Sequence, residues 1–600
     1  MDNRRPNSNA ASKAARRRKR RRRKVLQTVI PVLIALVLIV IVAVVGVKTG
    51  LFESFTESSN KADLNSYFQV MGDNQATVIA DGEMTEERIP VKDGKCYLPL
   101  ETIKSDYNDR FYYDESGNAI LYTNGEGTTT IPFDSSSYTV NETPQNTDYT
   151  ICFIGDEAKP YMALDFVKNY ANFDYTLFGG DNTPYRLQIK REWGQKACVK
   201  LESDEASLRI AADKKSDILK ELKQGDELTV VSGENEKWMK VSTEDLFTGY
   251  VEKKHIGEVY EVAETPVTSY VEETIPTVAD GSQIVLAWHN ITVEGGSSFL
   301  DDYSSRLSDM NVISPTWFAL ADDEGTVASI ADADYVSKAH AAGVKVWGLV
   351  DNMTYPEVTT YNILSDTAKR RNVIAQLLSL ASQYSLDGIN VDFESLPTEC
   401  GEPFIQFIRE LTVEAHKAGL VISVDNYVPK GYNEHYHRKE QGVFADYVII
   451  MGYDEHTTGS DEPGSVASIG FVKDGIDQTL LEVPNGKIIN AVPFYTRLWI
   501  ESGADASYSL DVQTLPMQQA LDTVSQAGVT AAWDEETGQN YAEWGDTTKY
   551  RTWLEDKQSL SEKLSVMKAS DIAGVAIWQL AYSTESAWEA IREYYPVNGQ

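Results

Sequence analysis

The sequence has 600 residues, 42% hydrophobic and 10% aromatic, which supplies apolar material for several packed domains and excludes a disordered chain. Its net charge of −35 conceals a split, because residues 1–24 carry 12 Lys/Arg and one acid and leave 43 basic against 89 acidic residues beyond them. That acidity excludes nucleic acid as a ligand, since phosphate contacts need a basic surface, and stays compatible with a neutral polymer such as a glycan.

The first element is an uncharged apolar run at 25–47, long enough to span a bilayer as a helix. The basic run 16–24 lies directly before it. Basic flanks stay in the cytoplasm, so residues 1–24 are expected to form a cytoplasmic tail and the bulk of the chain to lie outside the cell. An uncleaved transmembrane anchor is favoured over a signal peptide, because no A-x-A-like cleavage site precedes Lys48. Residues 48–66 read as a polar stalk.

From 67 to 190, short alternating segments separated by Asp/Asn/Gly turns predict a β-rich α+β domain. Leu98-Pro99-Leu100 and Tyr161-Met162-Ala163-Leu164 each introduce a short helical piece. This pattern resembles the small stalk-like domain at the N-terminus of copper amine oxidases. The resemblance implies a cell-surface module and no copper chemistry, as the region has no His. Cys96 and Cys152 both fall here, so a disulfide between them stands beside the alternative of isolated core cysteines.

Residues 195–258 hold five strand-like pieces. Leu208-Arg209, Asp217-Ile218-Leu219, Gly225-Asp226, Trp238, Val241 and Gly249-Tyr250-Val251 occur in an order that resembles the bacterial SH3-like barrel. The resemblance implies a cell-wall peptide as partner; the alternative is that Trp238 and Tyr250 are only its core. Residues 259–282 are Pro/Thr/Glu-rich without apolar periodicity and read as a linker.

After 283, short apolar runs alternate with amphipathic stretches. The runs are 283–289, 312–318, 344–350, 387–394, 421–427, 447–454, 487–494 and 574–580. Eight strands with intervening helices predict a TIM (β/α)8 barrel over 283–600, with a doubly wound sheet as the competing fold. The long gap before the last strand predicts an inserted α+β subdomain at about 499–570.

The chemistry concentrates at Asp387-Gly388-Ile389-Asn390-Val391-Asp392-Phe393-Glu394. Strand alternation puts Asn390, Asp392 and Glu394 on one face, inward in a barrel, and Ile389, Val391 and Phe393 on the face toward the helices. Glu394 falls at the strand's C-terminal end, where barrel enzymes place catalysis. Partial burial and the adjacent Asp392 are expected to raise its pKa and suit it to general acid work. The alternative is a solvated edge strand or a structural network.

D-G-I-N-V-D-F-E resembles the D-x-x-D-x-D-x-E signature of family-18 glycoside hydrolases. Met451-Gly452-Tyr453-Asp454, Pro493-Phe494-Tyr495-Thr496-Arg497 and Gly574-Val575-Ala576-Ile577-Trp578 match further strand motifs of that family in order. The bacterial envelope and spore-cortex N-acetylglucosaminidases look nearest. The resemblance implies substrate-assisted catalysis on N-acetylglucosamine polymers, peptidoglycan before chitin. Glu394 would be the acid, Asp392 would orient the substrate acetamide, and Tyr453 would bond its carbonyl. Trp578 would form the floor under the reacting sugar, and Asn390, Asp387, Asp454 and Arg497 are further candidate substrate contacts. Trp288, Trp317 and Trp347 are either stacking platforms or core. Two departures stand out: Asn390 replaces a carboxylate, and Thr496 replaces a glycine, which is expected to narrow the cleft. No cofactor is implied, and His435-x-His437 alone is a weak basis for a metal site. A catalytically silent glycan-binding protein on the same barrel is the competing function.

Overall fold

The computed structural model describes residues 30–45 and 57–597, apart from 71, 181, 234, 269 and 504–507. The basic tail, the ends of the expected span and residues 48–56 of the stalk lie outside the described residues. Residues 30–45 are helical. Among the described residues no helix is long and apolar enough to cross a membrane, so the expected transmembrane helix has no support in the fold.

The chain forms two compact units, the described part of 1–97 with 171–270, and 98–170 with 271–600. In the first unit, strands Gln75–Ala80 and Thr183–Lys190 pair in parallel and are flanked by Glu83–Lys92 and Asp174–Gly180. Seven further antiparallel strands between Gln195 and Ala263 form the expected small barrel. Its core holds Leu208, Leu219, Leu228, Val241 and Val251. Trp238 is also buried, whereas Tyr250 is half-buried.

The second unit is built on eight parallel strands: β1 (Ile284–His289), β2 (Val312–Leu320), β3 (Lys345–Asp351), β4 (Gly388–Asp392), β5 (Val421–Tyr427), β6 (Tyr447–Met451), β7 (Ile488–Pro493) and β8 (Gly574–Trp578). Each pairs with the next, and β8 pairs with β1, so the sheet closes into a barrel and the doubly wound alternative falls away. Alternation separates two cores. Leu286, Leu349, Ile449, Ile489 and Ala576 fill the inside. Ile389, Val391 and Phe393 pack outward with the helices α1 (Ala333–Ala341), α2 (Thr367–Tyr384), α3 (Gly401–Lys417), α4 (Arg438–Phe444) and α5 (Ile469–Leu480).

Between β7 and β8 lies a five-stranded antiparallel sheet from Tyr495 to Leu554 with helix Met517–Gln526. The sheet starts immediately after β7, and helix Lys557–Ala569 returns to pack on the barrel, so the inserted subdomain sits slightly earlier than 499–570.

Helix α3 is buried on nearly all sides. A lone barrel helix would bury one stripe; this one is also covered by a five-stranded meander between Phe111 and Asn146. Gln406 Nε2 donates to Thr123 Oγ1 at 2.9 Å, and Thr367 Oγ1 donates to Asp114 Oδ2 at 2.7 Å. The Arg370 guanidinium lies over the Tyr112 ring and donates twice to Glu410, at 3.0 Å each. Arg110 and Arg409 both donate to Glu440 Oε1, at 2.8 and 2.9 Å.

The segment expected to be a linker is tied down over part of its length. Glu273 accepts from Tyr122 and Asn124, and Asp446 accepts from Thr277 Oγ1, Val278 N and His416 Nε2. Val278 and Ala279 pack against the inner core at the amino-terminal end of the barrel. Polar side chains hold this stretch, so it carries no apolar period. All four cysteines are buried thiols, so Cys96 and Cys152 do not pair in a disulfide.

Candidate active site

Strand β4 carries Asn390 and Asp392 into the barrel, both buried. Glu394 lies two residues past its end and is half-buried. Asn352, just beyond β3, clamps the Glu394 backbone from both sides: its Oδ1 accepts from Glu394 N at 2.8 Å and its Nδ2 donates to Glu394 O at 3.0 Å. Tyr427, the last residue of β5, donates its hydroxyl to Glu394 Oε2 at 2.6 Å. Backbone and carboxyl are both fixed, which a group acting on a positioned substrate requires.

Burial raises the Glu394 carboxyl above the ordinary value, Asp454 and Asp351 add to that, and the Tyr427 bond opposes it. Asp392 was expected to be the charged neighbour. Its own carboxyl is driven well up by burial and then by Asp425, Glu394 and Asp351, so the repulsion between Asp392 and Glu394 appears on Asp392. Asp392 Oδ1 is buried without a hydrogen-bond partner among the described residues.

Tyr453 stands beyond β6, its hydroxyl pushed well up by burial and by nearby Tyr495, Asp392, Asp425 and Glu394. Trp578 ends β8 and meets Trp288 of β1 edge-on, with ring centroids 5.9 Å apart. Asp454 Oδ1 accepts from Tyr495 OH at 2.6 Å and from Arg497 Nη2 at 2.5 Å. Arg497 Nε also donates to the His456 carbonyl at 2.9 Å, so its guanidinium already has protein partners.

Asp387 does not join this group. It precedes β4 and accepts from Val346 N and His340 Nε2, at 2.7 and 2.8 Å. At about 3.3 Å per strand residue it lies roughly 20 Å from Glu394, at the other end of the barrel. The signature's first carboxylate therefore caps backbone at the amino-terminal end and is out of reach of a ligand at Glu394. Thr496 likewise does not narrow the cleft: it is buried and its hydroxyl bonds the Trp553 carbonyl. Trp317 and Trp347 are core, the first bonded to Ser297 Oγ and the second stacked on Tyr447.

Sequence reasoning missed Asp351, Asn352, Asp425 and Tyr427. Ser423, Asp425 and Tyr427 alternate along 421–427 just as Asn390, Asp392 and Glu394 do along β4, so period two could have found them.

The profile of the family described as Glycosyl hydrolases family 18 matches residues 283–582, and that of the Bacterial SH3 domain matches 204–257. The uncharacterized glycosylase YvbX of Bacillus subtilis (strain 168) is 24% identical over 298 residues, 47% of this chain and 84% of that protein. The cortical fragment-lytic enzyme of the same organism is 25% identical over 258 residues, 41% of this chain and 59% of that protein. The crystal structure of the Bacillus cereus spore cortex-lytic enzyme SleL is 20% identical, with 56% of this chain and 78% of that one covered at a TM-score of 0.48.

Proposed function

The chain belongs to the glycosyl hydrolases family 18, and from that premise we propose that it cleaves β-1,4 bonds of N-acetylglucosamine polymers, with peptidoglycan as the natural substrate. The observation that carries this is the Glu394 carboxyl, held by Tyr427 at the carboxyl end of β4 and raised by burial above the ordinary value. A carboxyl raised in this way holds its proton to higher pH and can give it to a glycosidic oxygen.

In this reading the substrate's own acetamide oxygen attacks the anomeric carbon as Glu394 protonates the leaving oxygen. Asp392, one pleat below, accepts from the acetamide N–H and offsets the positive charge of the cyclic intermediate. Tyr453 donates to the acetamide oxygen, and the Trp578 ring lies under the sugar. Asn390 acts through its neighbours and not on the sugar, because its whole amide is bonded within the barrel. Asp454 and Arg497 hold each other at the rim, where sugar hydroxyls can exchange with their bonds.

Peptidoglycan is preferred to chitin because similar proteins carry cortex-lytic names and a bacterial SH3 domain precedes the barrel. The SH3-like domain is proposed to bind cell-wall peptide. The chain is proposed to be anchored by 25–47 with the catalytic unit outside, on the strength of the basic run beside an uncharged stretch.

The test incubates the protein and its Glu394→Gln variant with purified peptidoglycan and with chitin oligosaccharides, and reads products by mass spectrometry. Fragments ending in reducing N-acetylglucosamine, absent in the variant, are expected. Binding without products from either polymer would instead make the barrel a silent glycan-binding module.

A further inference from the structure

Asp425 is a buried carboxylate that the scheme above does not use. It projects inward from β5 beside Asp392 of β4. The two strands pair in parallel with Asn390 opposite Ser423 and Val391 opposite Val424, so Asp392 and Asp425 come next in register. Neighbouring strands run about 4.8 Å apart, which puts the two carboxyls side by side.

Asn390 fixes how this pair is presented. Trp288 Nε1 can only donate, and it meets one end of the Asn390 amide at 2.8 Å, so that end is Oδ1. Ser314 Oγ donates to the same oxygen at 3.2 Å. The NH2 is thereby turned toward β5, where it donates to Ser423 Oγ at 3.0 Å and to Asp425 Oδ1 at 2.9 Å. Burial raises the Asp425 carboxyl, but the amide N–H aimed at its oxygen favours the ionised form, so of the two carboxyls Asp425 is the better placed to hold the charge. Among the described residues Asp392 has no such donor, and its Oδ1 is buried and unbonded. The other titratable groups that face the pair are Asp351, Glu394, Tyr436 and Tyr453, and none of these is a cation. Two buried carboxylates side by side with no cation cannot both be charged, so one proton stays between them.

We propose that Asp425 is a positioning residue that shares one proton with Asp392 and takes it over when the substrate's acetamide engages Asp392. At rest the proton is on Asp392 and Asp425 is the carboxylate. As the acetamide oxygen closes on the anomeric carbon, the Asp392 O–H bond breaks and an O–H bond forms on Asp425. Asp392 becomes the carboxylate that accepts the acetamide N–H. The pair carries one proton and one negative charge throughout, and no other reactant enters. The inference rests on the glycosidase reading, since it concerns the same acetamide.

The test uses the full chain as wild type, Asp425→Asn, and the swap Asn390→Asp/Asp425→Asn, each with chitin oligosaccharides and peptidoglycan. In Asp425→Asn, kcat should fall on the order of a hundredfold with KM changed by less than about threefold. The swap returns a carboxylate beside Asp392 and keeps one amide and one acid, so it should regain about tenfold or more in kcat. A purely structural loss would not be restored by moving the acid to the neighbouring strand. A second measurement needs no turnover. In a Glu394→Gln background, infrared difference spectra should show a buried carboxylic acid band that is absent in Asp392→Asn. In Asp425→Asn that band should titrate about one pH unit or more lower. Wild-type kcat in Asp425→Asn, or an unmoved band, overturns the proposal and leaves the glycosidase reading standing. No hydrolysis by the unsubstituted chain overturns the glycosidase reading, and the proton hand-over with it.

Discussion

Replacing Tyr427 with Phe isolates one contribution to the acid. The Tyr427 hydroxyl donates to Glu394 Oε2 at 2.6 Å and favours the carboxylate, against burial and the charges of Asp454 and Asp351. A hydrogen bond to a charged group contributes about 1.5–3 kcal/mol, and one pKa unit corresponds to roughly 1.36 kcal/mol. Water at this half-buried carboxyl recovers part of the loss, so the Glu394 pKa should rise by about one unit. The sign follows directly: a group that stabilises the anion is removed, and the proton is held to higher pH. The alkaline limb of kcat/KM, which reports loss of that proton, should move up by the same amount. The Phe ring keeps the edge contact with Tyr436, and the exposed Ser395 N–H that the hydroxyl accepts from can turn to water, so the fold should be undisturbed. The assay is the pH dependence of reducing-end release from chitin oligosaccharides or peptidoglycan, with unfolding measured in parallel. An alkaline limb that stays put or moves down, in a variant of unchanged stability, would refute Glu394 as the acid or Tyr427 as its modulator.

Arg370→Met should destabilise the barrel by about 3–5 kcal/mol, because Glu410 is left as a buried charge without its cation; denaturant unfolding followed by Trp fluorescence measures it. Asp446 is pushed up by burial but held on balance below the usual carboxylate range by His416, Thr277 and the Ile422 amide. Its contribution to stability is therefore complete above about pH 4 and is lost as pH falls through its lower folded value; Asp446→Asn should flatten the acid side of a melting-temperature profile. Lys563→Met should cost a similar 3–5 kcal/mol, since Glu555, fully buried with it, would lose its ion pair. Its melting temperature should fall, while Glu394 keeps its bonds to Tyr427 and Asn352.

The barrel was legible because its strands are short apolar runs whose alternation separates an inner from an outer core, and eight of them recur at helix-length spacing. The inward face of β4 was legible for the same reason. Asp387 misled because a motif records which residues recur together without saying which end of a strand each occupies. Asn352 and Tyr427 come from the strands on either side of β4, and only the pairing of β3 and β5 with β4 brings them to Glu394. The covering of α3 was equally hidden, since Thr123, the partner of Gln406, lies 283 residues upstream in a segment that reads as ordinary β structure.

That covering bears on how the protein withstands proteolysis. The polypeptide leaves the second unit after residue 170 and rejoins it at 271. A single cut in the exposed part of 264–270 would therefore divide the chain without freeing the barrel. The upstream fragment would still carry Thr123, Asp114 and Arg110, docked on α2, α3 and α4 through Gln406, Thr367 and Glu440. The nicked enzyme should run as two bands under denaturing conditions and as one species in native ones. Such a molecule keeps its two fragments together after a cut that would part a simple string of domains.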